Sequence, residues 1–183
     1  MALPQDAQAV LAFWFQECQP SQWFVRDPAL DAVIARRFGA LHGQAAEGAL
    51  ARWGESARGA LAEILVLDQF SRNIYRDDPR AFAADSLARE RLAAALDSKL
   101  DRALDRDGRM FLYMPLMHSE TLADQEQSVR LFRDLGLADA LDYAERHREI
   151  IVRFGRFPHR NAVLGRRSGP EETAFLQQPG SSF

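Results

Sequence analysis

The stretch Leu61–Arg76, LAEILVLDQFSRNIYR, constrains the fold more than any other part of the chain. Ile64, Leu65, Val66 and Leu67 follow one another, so a helix here is apolar on nearly every side of one turn. Such a helix belongs in the middle of a fold rather than on its surface. Polar residues follow without a break: Asp68, Gln69, Ser71, Arg72 and Asn73, with Phe70, Ile74 and Tyr75 between them. Asp68 continues the stripe of Leu61 and Leu65, and Arg72 lies one turn further on, so a carboxylate and a guanidinium meet at i,i+4 near the end of a buried helix. Charges placed there need partners, because a buried charge without one costs several kcal/mol. The stretch predicts a buried central helix near 57–72 and a polar cluster at its end.

The flanking sequence also reads as helix. A first helix is expected from Gln5 to Glu17, with a heavy aromatic patch of Phe13, Trp14 and Phe15, then a loop anchored by Trp23 and Phe24. Asp27-Pro28 gives an N-cap acceptor followed by proline at the first helical position. Leu30, Val33, Ile34, Phe38 and Leu41 keep the helical period up to Gly43 or Gly48. Ser56 is placed to cap the central helix. Asp78-Pro79 repeats the earlier cap signal, with Asp85 as a second N-cap candidate, and Ser98 to Asp107 reads as a charged loop. Pro115 disfavours the α region at Met114, so a bend is expected there and a new helix near Pro115 to Ser119. Gly136 and Gly155 are natural left-handed stops for the next two helices, and Ser168-Gly169-Pro170-Glu171 reads as a capping box. No alternation is long enough for a strand. The expectation is one all-α domain over 1–183, with seven to nine helices joined by short loops, many as antiparallel pairs. No 34-residue self-similarity is visible, so spacing alone does not indicate a repeat array.

Composition excludes several classes. The formal net charge of −3 argues against whole-protein nucleic-acid binding. Cys18 is the single cysteine, so no intramolecular disulfide is expected and a cytoplasmic location fits. The start, MALPQDAQ, lacks a basic segment followed by an apolar run, and no segment approaches ~18 uninterrupted apolar residues, so neither a signal peptide nor a membrane span is expected. HExxH, HxH, CxxC, GxSxG, a Walker A loop and GxGxxG are all missing, so neither a metal nor a cofactor is expected.

Three polar clusters interrupt the apolar pattern. The first is Asp68, Gln69, Arg72 and Asn73. In the second, MPLMHSETLADQ, helical spacing puts His118 and Gln125 on one face with Leu122, Val129 and Phe132, with Ser119 as an N-cap candidate. In the third, HREIIVRFGRFPHRN, His147 shares the stripe of Ala144, Ile150, Ile151 and Phe154 and so points inward. From Glu145 to Arg167 seven arginines face two glutamates, an excess of the kind that marks anion sites. Arg156, His159, Arg160 and Asn161 surround a Gly-to-Pro turn where backbone N–H groups would also favour an anion.

These motifs in this order resemble the bacterial family catalogued as domain of unknown function 924. The resemblance rests on LAFWF, RDPALDAVIARRFG, LDQFSRNIYRDDPRAFAAD, FLYMPLMHSE, HREIIVRFGRFPHRN and the closing FLQQPGSSF, and it runs over nearly the whole chain. It implies an all-α, TPR-like fold of stacked helical hairpins around the central helix. It implies no activity.

Two functional readings follow, with a blander third. In the first, Asp68, Arg72, Asn73, His118, Glu120, Gln125, His147, Arg156, His159, Arg160 and Asn161 line a groove for a small anion or a peptide carboxylate. In the second, the chain is a hydrolase or phosphate-handling enzyme, with His118 or His147 as general base and Glu120 or Asp68 orienting it. In the third, the polar network only specifies the fold and the outer surface docks a protein partner.

Overall fold

The computed structural model describes residues 2–181; Met1, Ser182 and Phe183 lie outside the described residues, and with them the first residue of the MALPQDAQ start and the last two of FLQQPGSSF. Every regular element among the described residues is a helix. The chain divides into two compact units. The first comprises residues up to Arg76 together with Arg80–Pro115, and the second Asp77–Pro79 together with the residues from Leu116 onward.

In the first unit, α1 (Gln5–Ala12) runs into a π-helical turn (Phe13–Glu17), and α2 (Pro28–Ala46) follows. Asp27 caps α2 by accepting from the Ala29 and Leu30 N–H groups, with Pro28 in the first turn. The central helix has three parts: α3 (Ala57–Ile64), a π-helical segment (Leu65–Phe70) and α4 (Ser71–Ile74). Ser56 Oγ caps it by accepting from Gly59 N–H. Residues Gly59 to Ser71 are all buried, the placement that the all-round apolar turn requires. Helices α1, α2 and α5 (Asp85–Asp97) pack around it. Aromatic rings fill the gaps: Phe38 lies 5.0 Å and Trp14 5.7 Å from Phe70, and Trp14 meets Phe111 edge-on at 5.4 Å. Trp23 donates to Trp14 O as an anchor, whereas Phe24 stacks on Phe111 with its other face exposed.

Several local expectations shift. Asp78-Pro79 opens only a 3₁₀ turn (Pro79–Phe82). Asp85 is no cap: it sits inside the first turn of α5, because Arg72 claims its carboxylate. The charged segment after α5 contains a 3₁₀ turn (Leu100–Ala103), and α6 (Arg106–Met117) already begins within it. Pro115 lies inside α6 rather than opening the next helix. It falls in the final turn, so only the last part of the ladder loses a donor.

The second unit is an antiparallel hairpin with a C-terminal extension. α7 (Leu122–Leu135) and α8 (Ala138–Phe154) pack along each other and are joined through Gly136 at φ 72°. Gly155, at φ 68°, ends α8. The chain then makes a 3₁₀ turn (Pro158–Arg160) and a last short helix, α9 (Pro170–Leu176). The apolar centre is Ile150, Ile151 and Phe157, with Phe154 and Phe175 against it. The capping box at α9 lies one residue later than expected: Gly169 N–H donates to Glu172, not Ser168 to Glu171. Arg156 and Asn161 hold Glu172 in that position. No helix among the described residues is long and apolar enough to cross a membrane.

Candidate functional site

The first polar cluster lies in the first unit and is closed by its own partners. Arg72 makes the expected i,i+4 contact with Asp68 at 3.3 Å, but its fork lies on Asp85, at 3.0 and 3.1 Å. Burial opposes the charge of Arg72, and the carboxylates of Asp68 and Asp85 outweigh it, so its pKa rises. At the exit of the π-helical segment, Ser71 Oγ donates to Leu67 O and Arg72 Nη1 to Asp68 O, so side chains meet carbonyls that the wider turn loosens. Gln69 donates to Asp68 and to Met114 Sδ. Asn73 and Arg76 both donate to Asp31.

The second and third clusters lie together in the second unit, although some forty residues separate them in sequence. The α6–α7 turn, His118 to Thr121, is held from four directions. Gln125, fully buried on α7, points Nε2 at Leu116 O, Met117 O and Ser119 O, carbonyls at and just beyond the C-terminus of α6. Ser119 Oγ donates to Asp124 and accepts from Thr121 N–H, so it braces the turn while Thr121 takes the N-cap position. Arg160 Nη2 donates to His118 O at 2.8 Å. Glu120 accepts from Phe157 N–H and from both ends of the Arg166 fork, at 2.7 and 2.9 Å. His118 therefore sits in the turn before α7 and not on the α7 stripe, because the helix begins only at Leu122.

This bracing gathers three basic side chains around Phe157, with His118 beside one of them. The His118 and His147 rings lie 6.3 Å apart, His147 meets Phe157 edge-on at 5.5 Å, and His159 lies 5.6 Å from Phe157. The Arg160 guanidinium covers the Phe157 ring at 4.8 Å. His147 is buried, whereas His118 and His159 are half-buried and reach solvent. The pKa of His147 is pushed down to about 3, first by burial and then by the charges of His118, His159 and Arg160, against the upward pull of a hydrogen bond with Tyr143 O.

The acids beside this cluster are engaged elsewhere. Burial works against the Glu120 carboxylate, but Arg166 and Phe157 N–H outweigh it and its pKa sits below the ordinary value. Arg156 grips Glu172 at 2.7 and 2.8 Å and, with Gly169 N–H and Asn161, holds its pKa down to about 2. Asn161 bridges the two pairs, accepting from Arg166 and donating to Glu172. An open groove of about 820 Å³, lined by Arg156, Arg167, Gly169, Glu172, Thr173 and others, lies beside this network, and none of its lining residues is a histidine. Among the described residues no three His, Cys, Asp or Glu side chains are grouped as metal ligands.

The model of a family described as bacterial protein of unknown function, domain of unknown function 924, matches residues 10–180. The chain belongs to this family. A solved structure of a protein of unknown function from Agrobacterium tumefaciens, 40% identical, superimposes with a TM-score of 0.90 over 94% of this chain and 97% of that one. No curated protein matches the sequence.

For this member of the domain of unknown function 924 family, the sequence missed the partners more than the site residues. Glu172 lies outside the motifs, and Arg166 stood out only as one of seven arginines between Glu145 and Arg167, yet they fix Glu120, Asn161 and Arg156. In the first unit Glu63 is fully buried and paired with Arg91 at 2.8 Å, and burial raises its pKa. His42 was also missed. Ser71 Oγ donates its one proton to Leu67 O, so it accepts from His42 Nε2 at 2.7 Å. A glutamate in the apolar run and a histidine one turn after Phe38 were the available signals.

Proposed function

We propose that this protein binds a small anion at the second unit's cluster of His118, His147, His159 and Arg160. One observation carries the reading: the rings of His147 and His159 and the Arg160 guanidinium gather around the Phe157 ring, with the His118 ring beside His147. Arginine and imidazole N–H groups brought together in this way are donors of the kind that bind anionic oxygens. Asp68, Arg72 and Asn73 lie in the first unit, and Gln125, Arg156 and Asn161 brace a turn and the Glu172 carboxylate, so these six belong to the scaffolding in this reading. The bacterial family and a buried Cys18 suit a cytoplasmic setting.

The test is imidazole nitrogen NMR of the intact chain during titration with inorganic phosphate, acetate and a short peptide. An anion at this cluster shifts the resonances of His118, His147 and His159 and leaves His42 in place. Arg160→Ala abolishes the shifts, and Arg146→Ala, at an exposed pair on α8, preserves them. Titrations that move none of the three, or move His42 equally, overturn the reading.

A further inference from the structure

We propose that the open groove along α9 is a second binding site, which takes the carboxylate end of an extended peptide. It is separate from the histidine cluster and does not depend on the anion reading there. At about 820 Å³ the groove has the size of sites that hold small ligands. One wall is the Arg156–Glu172 pair, whose charges are settled within the protein. Glu172 accepts four hydrogen bonds, from Arg156 Nε and Nη2, Asn161 Nδ2 and Gly169 N–H. A carboxylate has about four lone-pair positions, so Glu172 keeps none for a ligand. Arg156 Nη2 also donates to Arg167 O, which fixes the Arg156 guanidinium beside the Arg167 backbone.

What remains on this wall is donors. Arg156 Nη1 meets no acceptor among the described residues, and the exposed Arg167 guanidinium pairs with no side chain there. Glu172 balances Arg156, so the lining carries one uncompensated charge, that of Arg167. A carboxylate matches that charge, whereas a phosphate dianion exceeds it. The planar guanidinium fork also fits the two oxygens of a carboxylate. The body of the ligand is set by α9. Pro170, Thr173, Ala174 and Gln177 follow one another at helical spacing and are exposed along the groove. The first three are small and leave room for a slim chain against the helix. Gln177 stands about 10 Å along the axis from Pro170, the span of roughly three extended residues. Its side-chain amide has no partner among the described residues and offers a donor and an acceptor to a peptide bond.

The experiment is titration of the whole chain with N-acetyl-trialanine, followed by nitrogen–proton NMR. The acid should shift Arg167 Nε, the Gln177 side-chain amide and Ala174 N–H. The same peptide with an amidated C-terminus should bind at least about tenfold more weakly. Equal binding of the two forms, or an acid that moves none of these groups, overturns the proposal. Arg167→Ala, at an exposed side chain, should weaken the acid by about tenfold with thermal unfolding unchanged, and an unaltered affinity overturns the proposal as well. Gln177→Ala should weaken it by about threefold, and no change there overturns the peptide as occupant. Inorganic phosphate held more tightly than the acid at these groups overturns the choice of a carboxylate. Shifts confined to the imidazoles of His118, His147 and His159 overturn this site and leave the anion reading there standing. Shifts confined to α9 with phosphate, acetate and this peptide do the reverse.

Discussion

The two units bury different kinds of titratable group. In the first, carboxylates and arginines close on each other: Asp85 and Asp68 on Arg72, Glu63 on Arg91, Asp31 on Arg76. Each group's field is spent on its partner within hydrogen-bond distance. In the second, Glu120 and Glu172 are closed in the same way by Arg166 and Arg156, and the cluster beside them holds a buried imidazole, His147, that burial keeps neutral. Arginine pairs of the same geometry therefore serve architecture in both units.

The comparison breaks if the first unit's pairs are dispensable. Arg91→Ala leaves Glu63 fully buried without its cation, and urea unfolding should register a loss of about 3–5 kcal/mol. Glu63→Leu combined with Arg91→Met should recover most of that loss. A single variant as stable as the parent would mean that the pair has no structural role.

The second unit's buried histidine should appear as a pH dependence. Between pH 6.5 and about 3 the unfolded chain takes up a proton that native His147 refuses. Stability therefore falls as pH falls through this window, at about 1.4 kcal/mol per pH unit for one such group. His42, whose pKa burial also lowers, adds in the same sense. The depressed pKa values of Glu120 and Glu172 give stability that is present above the unfolded value of 4.5 and lost further down, so the histidine effect is read between pH 5 and 6.5. His147→Leu should roughly halve the slope there, and an unaltered slope would assign it to other groups.

Smaller effects sharpen the contrast. Arg166→Ala removes the fork on Glu120, which keeps its hydrogen bond from Phe157 N–H and remains partly exposed. Thermal unfolding should report a loss of about 1–2 kcal/mol, well below that of Arg91→Ala. Arg146→Ala, at an exposed i,i+4 pair with Asp142, should change stability by less than about 0.5 kcal/mol. A larger loss there would mean that the surface of α8 contributes beyond its visible pair.

Much of the helical framework was written locally. Asp27-Pro28, Ser56, Gly136 and Gly155 act where they stand, since a cap or a left-handed stop needs only neighbouring backbone groups. The burial of the central helix followed from four consecutive apolar residues. Local rules failed where distant partners intervene. Asp85 reads as a cap and serves Arg72, and Ser168 reads as a cap while Arg156 and Asn161 hold Glu172 to the next residue.

The sequence by itself determined an all-helical chain with its apolar centre near Leu65, and it marked three polar motifs for attention. Only the tertiary structure decided which motifs meet. Arg160 reaches back to His118 and Phe157 N–H reaches Glu120, and these bonds between remote backbone and side-chain groups place three imidazoles beside one guanidinium. Helix formation depends on residues within a turn or two, so a linear reading captures it. The charge balance of a site depends on which remote side chains fold against one another, and sequence spacing does not encode that.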